Sequence, residues 1–524
     1  MVAAIPDTTV AQLFAGDGEH SSRPPDRITL LALAFLALPL LIFLATWLKP
    51  MYAVAGIGLM LLATAAVAGR FRPEWPSRNL TVLVLVALAW AAMGGGSHFV
   101  YANPDWHVRD AVLGDLAFSA WPPSYGFRDG HHDLLRSAIG FFLPVAAAAK
   151  LLGPQALPML MFAWTGIGTL LFLLLLPLPR EGLPGLLAGI AIIVAFSGMD
   201  VLGAFLLHGH YPIFPLRIEW WGDFDFRALF SYSSLTGQLI WAPNHVLPMW
   251  IATALVYRHW KHPDFLPLLC LVLPTLPLLT PFALPGLAPF LVLALADRAR
   301  SGMAALKMPI PAVLAAILIG GLTIRLQLLD VGSIPLLQSA ATVPPGASDG
   351  GSGGRSLVFI KNYLAFILME FAILGCVLLT VLRHSRGLLI IAMCVLTLLP
   401  LVKLGPSNDL LLRVATPSLV LMAILGQRAV LDAWTEARPR AILIVLMLLI
   451  GAHTPFNELW RAATWKAWRP DYTRPFVDTQ NGGLPTHYIG RLKDPLLTEL
   501  LRTPSPVPNR QQRVDSLAGQ GRSD

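Results

Sequence analysis

Charge is scarce in this chain. Asp, Glu, Lys and Arg make up 13% of its 524 residues, about half the share of a soluble globular domain, and long stretches carry none, which excludes an ordinary water-soluble core. The three cysteines, Cys270, Cys376 and Cys394, each sit inside an apolar run. They behave there as small hydrophobes, form no disulfide framework and match no metal-ligand spacing. A Walker A loop, an H-E-x-x-H pair and a usable dinucleotide fingerprint are all missing, which removes the commonest nucleotide and zinc-hydrolase chemistries. No internal repeat of the kind that marks many secondary transporters is found. The apolar runs do not alternate with polar residues, so a β-barrel is excluded as well. The first 26 residues lack a basic stretch leading into a short apolar one, and nothing there reads as a cleaved leader.

What the chain does hold is apolar surface. With 55% hydrophobic residues and a mean hydropathy of +0.64, it has many runs approaching the ~20 residues needed to cross a ~30 Å bilayer core. The expected fold is all-α, a polytopic helical membrane protein. Its 44 prolines and 43 glycines fit that class, because neighbouring helices can satisfy the backbone groups they free.

Basic turns set the expected topology. A run at 28–48 and a second at 51–68 lead to a short stretch with Arg70, Arg72 and Arg78, which the positive-inside rule assigns to the cytoplasm. Residues 1–26 then form a cytoplasmic tail, and a third span near 80–96 runs outward. Further basic turns follow at Arg180, at Arg258 with Lys261, at Arg298, Arg300 and Lys307, at Arg383 with Arg386, and at Arg428, Arg438 and Arg440. The segment 135–178 contains two apolar runs yet must cross an odd number of times. The shorter, 137–152, with Pro144 and Lys150, is therefore expected to be interfacial or re-entrant. The count is about 13 spans within residues 27–453. Polar segments at 97–134, 200–245 and 330–357 and the tail from about 453 fall in one extracytoplasmic compartment. Of these, 330–357 carries GASDGGSGGRS and reads as a flexible loop. Residues 454–502, with Trp460, Trp465 and Trp468 among basic residues, suit a membrane interface, and 503–524 reads as a disordered tail.

Two segments concentrate chemistry. Residues 103–125 place Asp105, His107, Arg109, Asp110 and Asp115 between apolar runs. Residues 200–245 hold Asp200, His208, His210, Glu219, Trp220, Trp221, Asp223, Asp225, Arg227, Trp241 and His245. Aromatic rings beside carboxylates suit a sugar, since rings stack on apolar pyranose faces while carboxylates accept hydroxyl hydrogens; an interfacial aromatic belt would account for Trp220 and Trp221 alone. His208 and His210 with a carboxylate have the donor atoms for a divalent metal, although H-x-H spacing by itself specifies none, and the cofactor is left undefined.

Several short motifs resemble one superfamily. Asp105-Trp106 followed by Arg109-Asp110-Ala111-Val112-Leu113, then Trp121-Pro122 and Tyr125, with Trp241-Ala242-Pro243-Asn244-His245 and later Asn408-Asp409 with Arg413, are similar to bacterial integral membrane proteins of the GT-C glycosyltransferase type. Asp110 departs from the Asn expected at its position. The resemblance covers most of residues 28–455. It implies a GT-C-like fold with the site in the extracytoplasmic loops, at the periplasmic face of the bacterial inner membrane. The implied activity moves a sugar from a polyprenyl-phosphate donor in the membrane lipid to a glycan, lipid or protein acceptor; nucleic acid is not among the expected partners.

Elementary chemistry agrees in outline. An acceptor hydroxyl needs a carboxylate, for which Asp105 is the first candidate and Asp110 the second. A departing polyprenyl phosphate needs cations or hydrogen bonds, available from Arg109, Arg413, His245 and Arg227. His107, Trp121, Tyr125, Asp200, Trp220, Trp221, Asp223, Asp225, Trp241, Asn244, Asn408 and Asp409 complete the expected binding set. Asp105 and Arg109 are four apart, so on a helix they can also simply pair. The competing class is a transporter or flippase of a lipid-linked or small polar solute, and a polysaccharide polymerase or ligase is a further alternative. Span middles almost bare of charge, Arg325 apart, weigh against passage through the bundle.

Overall fold

The computed structural model describes residues 23–72, 79–128, 130–137, 139–179, 182–209, 218–219, 230–302, 306–333, 338–339, 352–382, 385–403, 408–480 and 484–520. It is mostly helical. Among the described residues, seven helices are long and apolar enough to cross a membrane: Arg27–Trp47, Pro50–Ala68, Pro154–Leu175, Ile310–Gln327, Leu357–Val381, Leu410–Trp434 and Arg438–Thr464. Such runs become helices because hydrocarbon offers no partner for a backbone N–H or C=O, and only a helix satisfies every one within its own segment. Burial separates post from rim. The most apolar stretch of Leu410–Trp434 is 83% buried and that of Pro50–Ala68 only 28%, so the first stands at the centre while Val54, Leu61 and Leu62 of the second face outward.

The polar residues sort to two ends of the bundle. At one end Asp26 caps the first helix through the Thr29 amide (2.9 Å) and pairs with Arg258. Arg70 pairs there with Asp264, Lys261 with Asp297 (3.1 Å), and Arg428 donates to the Tyr257 hydroxyl (3.0 Å). At the other end the segment 97–136 meets Asp330 and the chain beyond residue 453: Arg128 bonds Asp133 and Asp330, and Tyr101 donates to the Ala462 carbonyl. Arg70, Arg258, Lys261 and Arg428, from three of the basic turns, thus share one end.

The short run after residue 137 forms the helix Leu143–Leu152, whose ten residues rise about 15 Å, half a bilayer core. Its Lys150 ammonium caps the carbonyls of Ala117 and Ser119, so it packs on the first polar segment. That segment is itself structured, with the buried helix Trp106–Phe118 and the strands Pro123–Tyr125 and Asp133–Leu135. An all-α description is therefore incomplete: these strands lie between Ile489–Arg491 and Ser505–Pro506 in a four-stranded mixed sheet.

Residues 503–520 are ordered rather than disordered, ending in the helix Arg510–Gln520. Their polar composition hides two anchors: the edge strand Ser505–Pro506 and the fully buried Arg513, paired with Asp115. Of the Gly- and Ser-rich stretch, 340–351 lie outside the described residues, while from Ser352 onward it enters the helix Ser352–Ile367.

Candidate functional site

Asp105 occupies the N-cap position of the helix Trp106–Phe118 but bonds none of its free amides. Its backbone is steadied instead by Asn103, whose Oδ1 accepts from the Asp105 N–H (3.0 Å) while Nδ2 donates to the Ile240 carbonyl (2.9 Å). One turn on, Arg109 places Nη2 3.1 Å from Asp105 Oδ2. The two differ in environment. The Asp105 side chain is 54% exposed and that of Arg109 only 6%, and Arg109 Nη1 is buried without a hydrogen-bond partner. A buried guanidinium with a spare N–H is costly unless something accepts from it.

Both residues line a cavity of about 340 Å³. Val108 joins them from the same helix; Ser233, Gln238, Trp241 and Ala242 come from the second polar segment and Val246 from the helix that follows it; Leu412 and Arg413 from the start of a central helix; and Gln480, His487 and Tyr488 from the C-terminal segment. Among the described lining residues, two arginines stand against one carboxylate, a balance attractive to an anion.

The aromatic wall is fixed. Trp241 Nε1 donates to Glu458 Oε2 (2.8 Å), Arg461 pairs with the same carboxylate, and the Arg461 guanidinium lies 5.2 Å from the centre of the Trp241 ring. Gln238 is held at both ends of its amide, Nε2 donating to the Ser233 carbonyl (2.9 Å) and Oε1 accepting from Trp250 Nε1 (3.1 Å). Glu219, fully buried, accepts from Ser233 Oγ (3.0 Å), Ser234 N (3.0 Å) and Ser234 Oγ (3.2 Å), which sets the turn carrying Ser233.

The cavity unites Asp105, Arg109, Trp241 and Arg413, four of the expected residues. Others go elsewhere because a helix advances about 100° per residue. Asp110, one step past Arg109, turns away and is buried with His98 Nε2 3.0 Å from Oδ2; burial pushes its pKa up while His98 pulls it down. It is a partner of His98, outside the cavity. His107 stacks on Trp468 at 4.1 Å. Trp121 donates to the Leu116 carbonyl (2.8 Å) beneath Lys150, and Tyr125 donates to Asp115 Oδ2 (2.7 Å) inside the sheet region.

Asp200 is buried and accepts from Ser197 (3.0 Å) and Thr454 (2.7 Å). It also meets the Glu370 carboxyl through a side-chain hydrogen bond. Asn244 and His245 begin the helix Pro243–His259 and are buried, with His245 Nδ1 3.2 Å from Thr280 Oγ1. Asn408 is buried in a left-handed conformation ahead of the helix Asp409–Val414, and the side chain of Asp409 is outside the described residues. So are Trp220, Trp221, Asp223, Asp225, Arg227 and His210. His208 ends an exposed helical turn, and among the described residues no group of three or more His, Cys, Asp or Glu is arranged to hold a metal ion.

Sequence reasoning missed Gln480, His487, Tyr488 and the supporting Glu458, and it assigned no role to Glu219. It also missed Glu370, which lies within the helix Leu357–Val381, so span interiors are not as bare of charge as they read. No spacing in the chain links residue 487 to residue 105, and no local signal was there to find. No protein-family model matches this chain, and no curated protein matches it either.

Proposed function

We propose that the chain is a membrane glycosyltransferase of GT-C type that moves a sugar from a polyprenyl-phosphate donor to a cell-envelope glycan, lipid or protein acceptor. The observation that carries this reading is an exposed carboxylate, Asp105, beside the unpartnered buried N–H of Arg109 and beside Arg413 in one cavity. In the reaction, the acceptor oxygen bonds to the anomeric carbon and its proton passes to Asp105. The bond from that carbon to the phosphate oxygen breaks, and the charge left on the polyprenyl phosphate falls to Arg109 and Arg413.

Thirteen spans accompany this reading: the seven long helices together with Leu80–Ala92, Leu183–Val194, Pro243–His259, Phe265–Leu279, Ala283–Arg300 and Arg386–Leu401. The end rich in basic turns faces the cytoplasm and the cavity faces the periplasm, across a bacterial inner membrane. A reporter fused after Arg72 or Arg300 is expected to read cytoplasmic, and one after Pro122 or Thr464 periplasmic. Opposite readings at Pro122 and Thr464 would sink a site built from both segments.

The direct test uses the purified full chain. Farnesyl phosphate is expected to bind, and Arg109→Ala or Arg413→Ala to weaken it tenfold or more. With a radiolabelled polyprenyl-phosphate sugar, Arg109→Ala should act chiefly on KM if its contact is the same in the ground and transition states. A second reading, transport of a lipid-linked or small polar solute, draws support from the buried contact of Asp200 with Glu370 inside the bundle, because intramembrane carboxyls often mark solute paths. Reconstituted vesicles separate the two readings: uptake of labelled solute without covalent transfer would favour transport.

A further inference from the structure

The C-terminal segment makes a chemically different contribution to the cavity from that of the helices. The helices bring Arg109 and Arg413, two permanent cations, whereas the segment brings Gln480, whose Nε2 also donates to Thr479 Oγ1 (2.7 Å), and His487, an amide and an imidazole, side-chain types that can both donate and accept. An anion needs donors only, and an isoprenoid tail needs neither. A hydroxyl, which donates and accepts at once, is what such groups pair with. They share the cavity with the Trp241 ring, whose position is fixed by Glu458 and Arg461.

The segment is held there at some expense. Arg136, 3% exposed, spends its guanidinium entirely on main-chain carbonyls: Nη2 on Thr486, Nε on Ile489 (3.2 Å) and Nη1 on Gln327 (2.7 Å). Its own N–H donates to the Tyr488 carbonyl (2.9 Å). The bonds bracket residues 486–489, so the cavity-lining pair His487–Tyr488 is clamped from both sides. Strand pairing of Ile489–Arg491 with Asp133–Leu135 continues the clamp.

Resting on the glycosyltransferase reading above, we propose that Gln480 and His487 are specificity-determining residues that bind the hydroxyl-bearing sugar of the donor, while Arg109 and Arg413 take its phosphate. The C-terminal segment thereby chooses which sugar is accepted, and Arg136 acts as a positioning residue for it.

The experiment measures, by equilibrium dialysis on the full chain in detergent, affinities for farnesyl phosphate and for farnesyl phosphate esterified to glucose, galactose, mannose or arabinose. One sugar ester is expected to bind at least tenfold more tightly than farnesyl phosphate. The double variant Gln480→Leu, His487→Phe, which keeps an aromatic ring against Tyr488, should lower that ratio to within twofold of unity. Arg109→Ala should weaken both ligands and leave the ratio standing. The inference is overturned if no sugar ester is preferred, or if the double variant keeps the preference. Failure of farnesyl phosphate itself to bind the unaltered chain would instead remove the glycosyltransferase reading, and this inference with it.

Discussion

Arg513→Ala is expected to release the C-terminal segment from the rest of the molecule, at a cost of ~3–5 kcal/mol, the usual penalty for stranding one partner of a buried ion pair. Both side chains of the Arg513–Asp115 pair are fully buried. Arg513 also donates to the Tyr472 carbonyl (3.1 Å) and the Pro508 carbonyl (3.1 Å). Asp115 in turn accepts from the Tyr125 hydroxyl (2.7 Å) and the Phe476 amide (3.3 Å). One carboxylate thus joins the helix Trp106–Phe118, the first strand and the C-terminal segment. The backbone of Tyr472 also packs directly on Gly114, where any side chain would strike its carbonyl.

The loss should depend on pH with a definite sign. Burial already lifts the Asp115 carboxyl from 3.8 to about 6, while Arg513 pulls it down. A carboxyl whose folded pKa is raised contributes its stability at low pH and loses it as pH rises through the folded value. Without Arg513 that value rises further, so the deficit of Arg513→Ala relative to the unaltered chain should be larger at pH 8 than at pH 5. Hydrogen-exchange protection factors for Ile489–Arg491 would read this, and protection at pH 8 equal to that of the unaltered chain would refute it. Arg513→Lys keeps the charge without the planar fork and should fall between the two.

On the proposed glycosyltransferase reading, Asp105→Asn should cut sugar transfer ~100-fold or more while leaving the fold in place. The substitution keeps size and one acceptor oxygen but removes the basic group. The structural alternative, that Asp105 serves mainly to pair with Arg109, predicts a loss of stability instead. Geometry limits that alternative: the Asp105 side chain is 54% exposed and bonds no helix amide, so solvent screens its side of the pair. Melting temperature and transfer rate measured on the same purified sample distinguish the cases. A stable Asp105→Asn protein with undiminished turnover would end the assignment of Asp105 as the base.

How much of this was legible beforehand follows from the range over which each signal acts. Long apolar runs announce membrane helices because hydropathy is summed over ~20 consecutive residues and needs no partner. The ionic end of the bundle was readable for the same reason, since Arg70, Arg258, Lys261 and Arg298 lie at or just beyond the ends of such runs. Asp105 and Arg109 stand four apart, and that spacing alone puts them on one face of a helix. Helical spacing also implied that Asp110 would point elsewhere, although its charge made it look like a second catalytic carboxylate.

By itself, then, the sequence determined a mostly helical chain with runs long and apolar enough to cross a membrane, the positions of its charged residues between those runs, and the helical spacing that lets Asp105 and Arg109 pair, because each depends on neighbours within a few turns of chain. Only the tertiary structure decided that Trp241, Arg413 and His487 meet that pair in one cavity. It also decided that a polar C-terminal stretch is pinned by Arg136 and Arg513 rather than left free. These contacts join residues 132 to 398 positions apart, and their stability comes from burial and from partners that no local composition reveals.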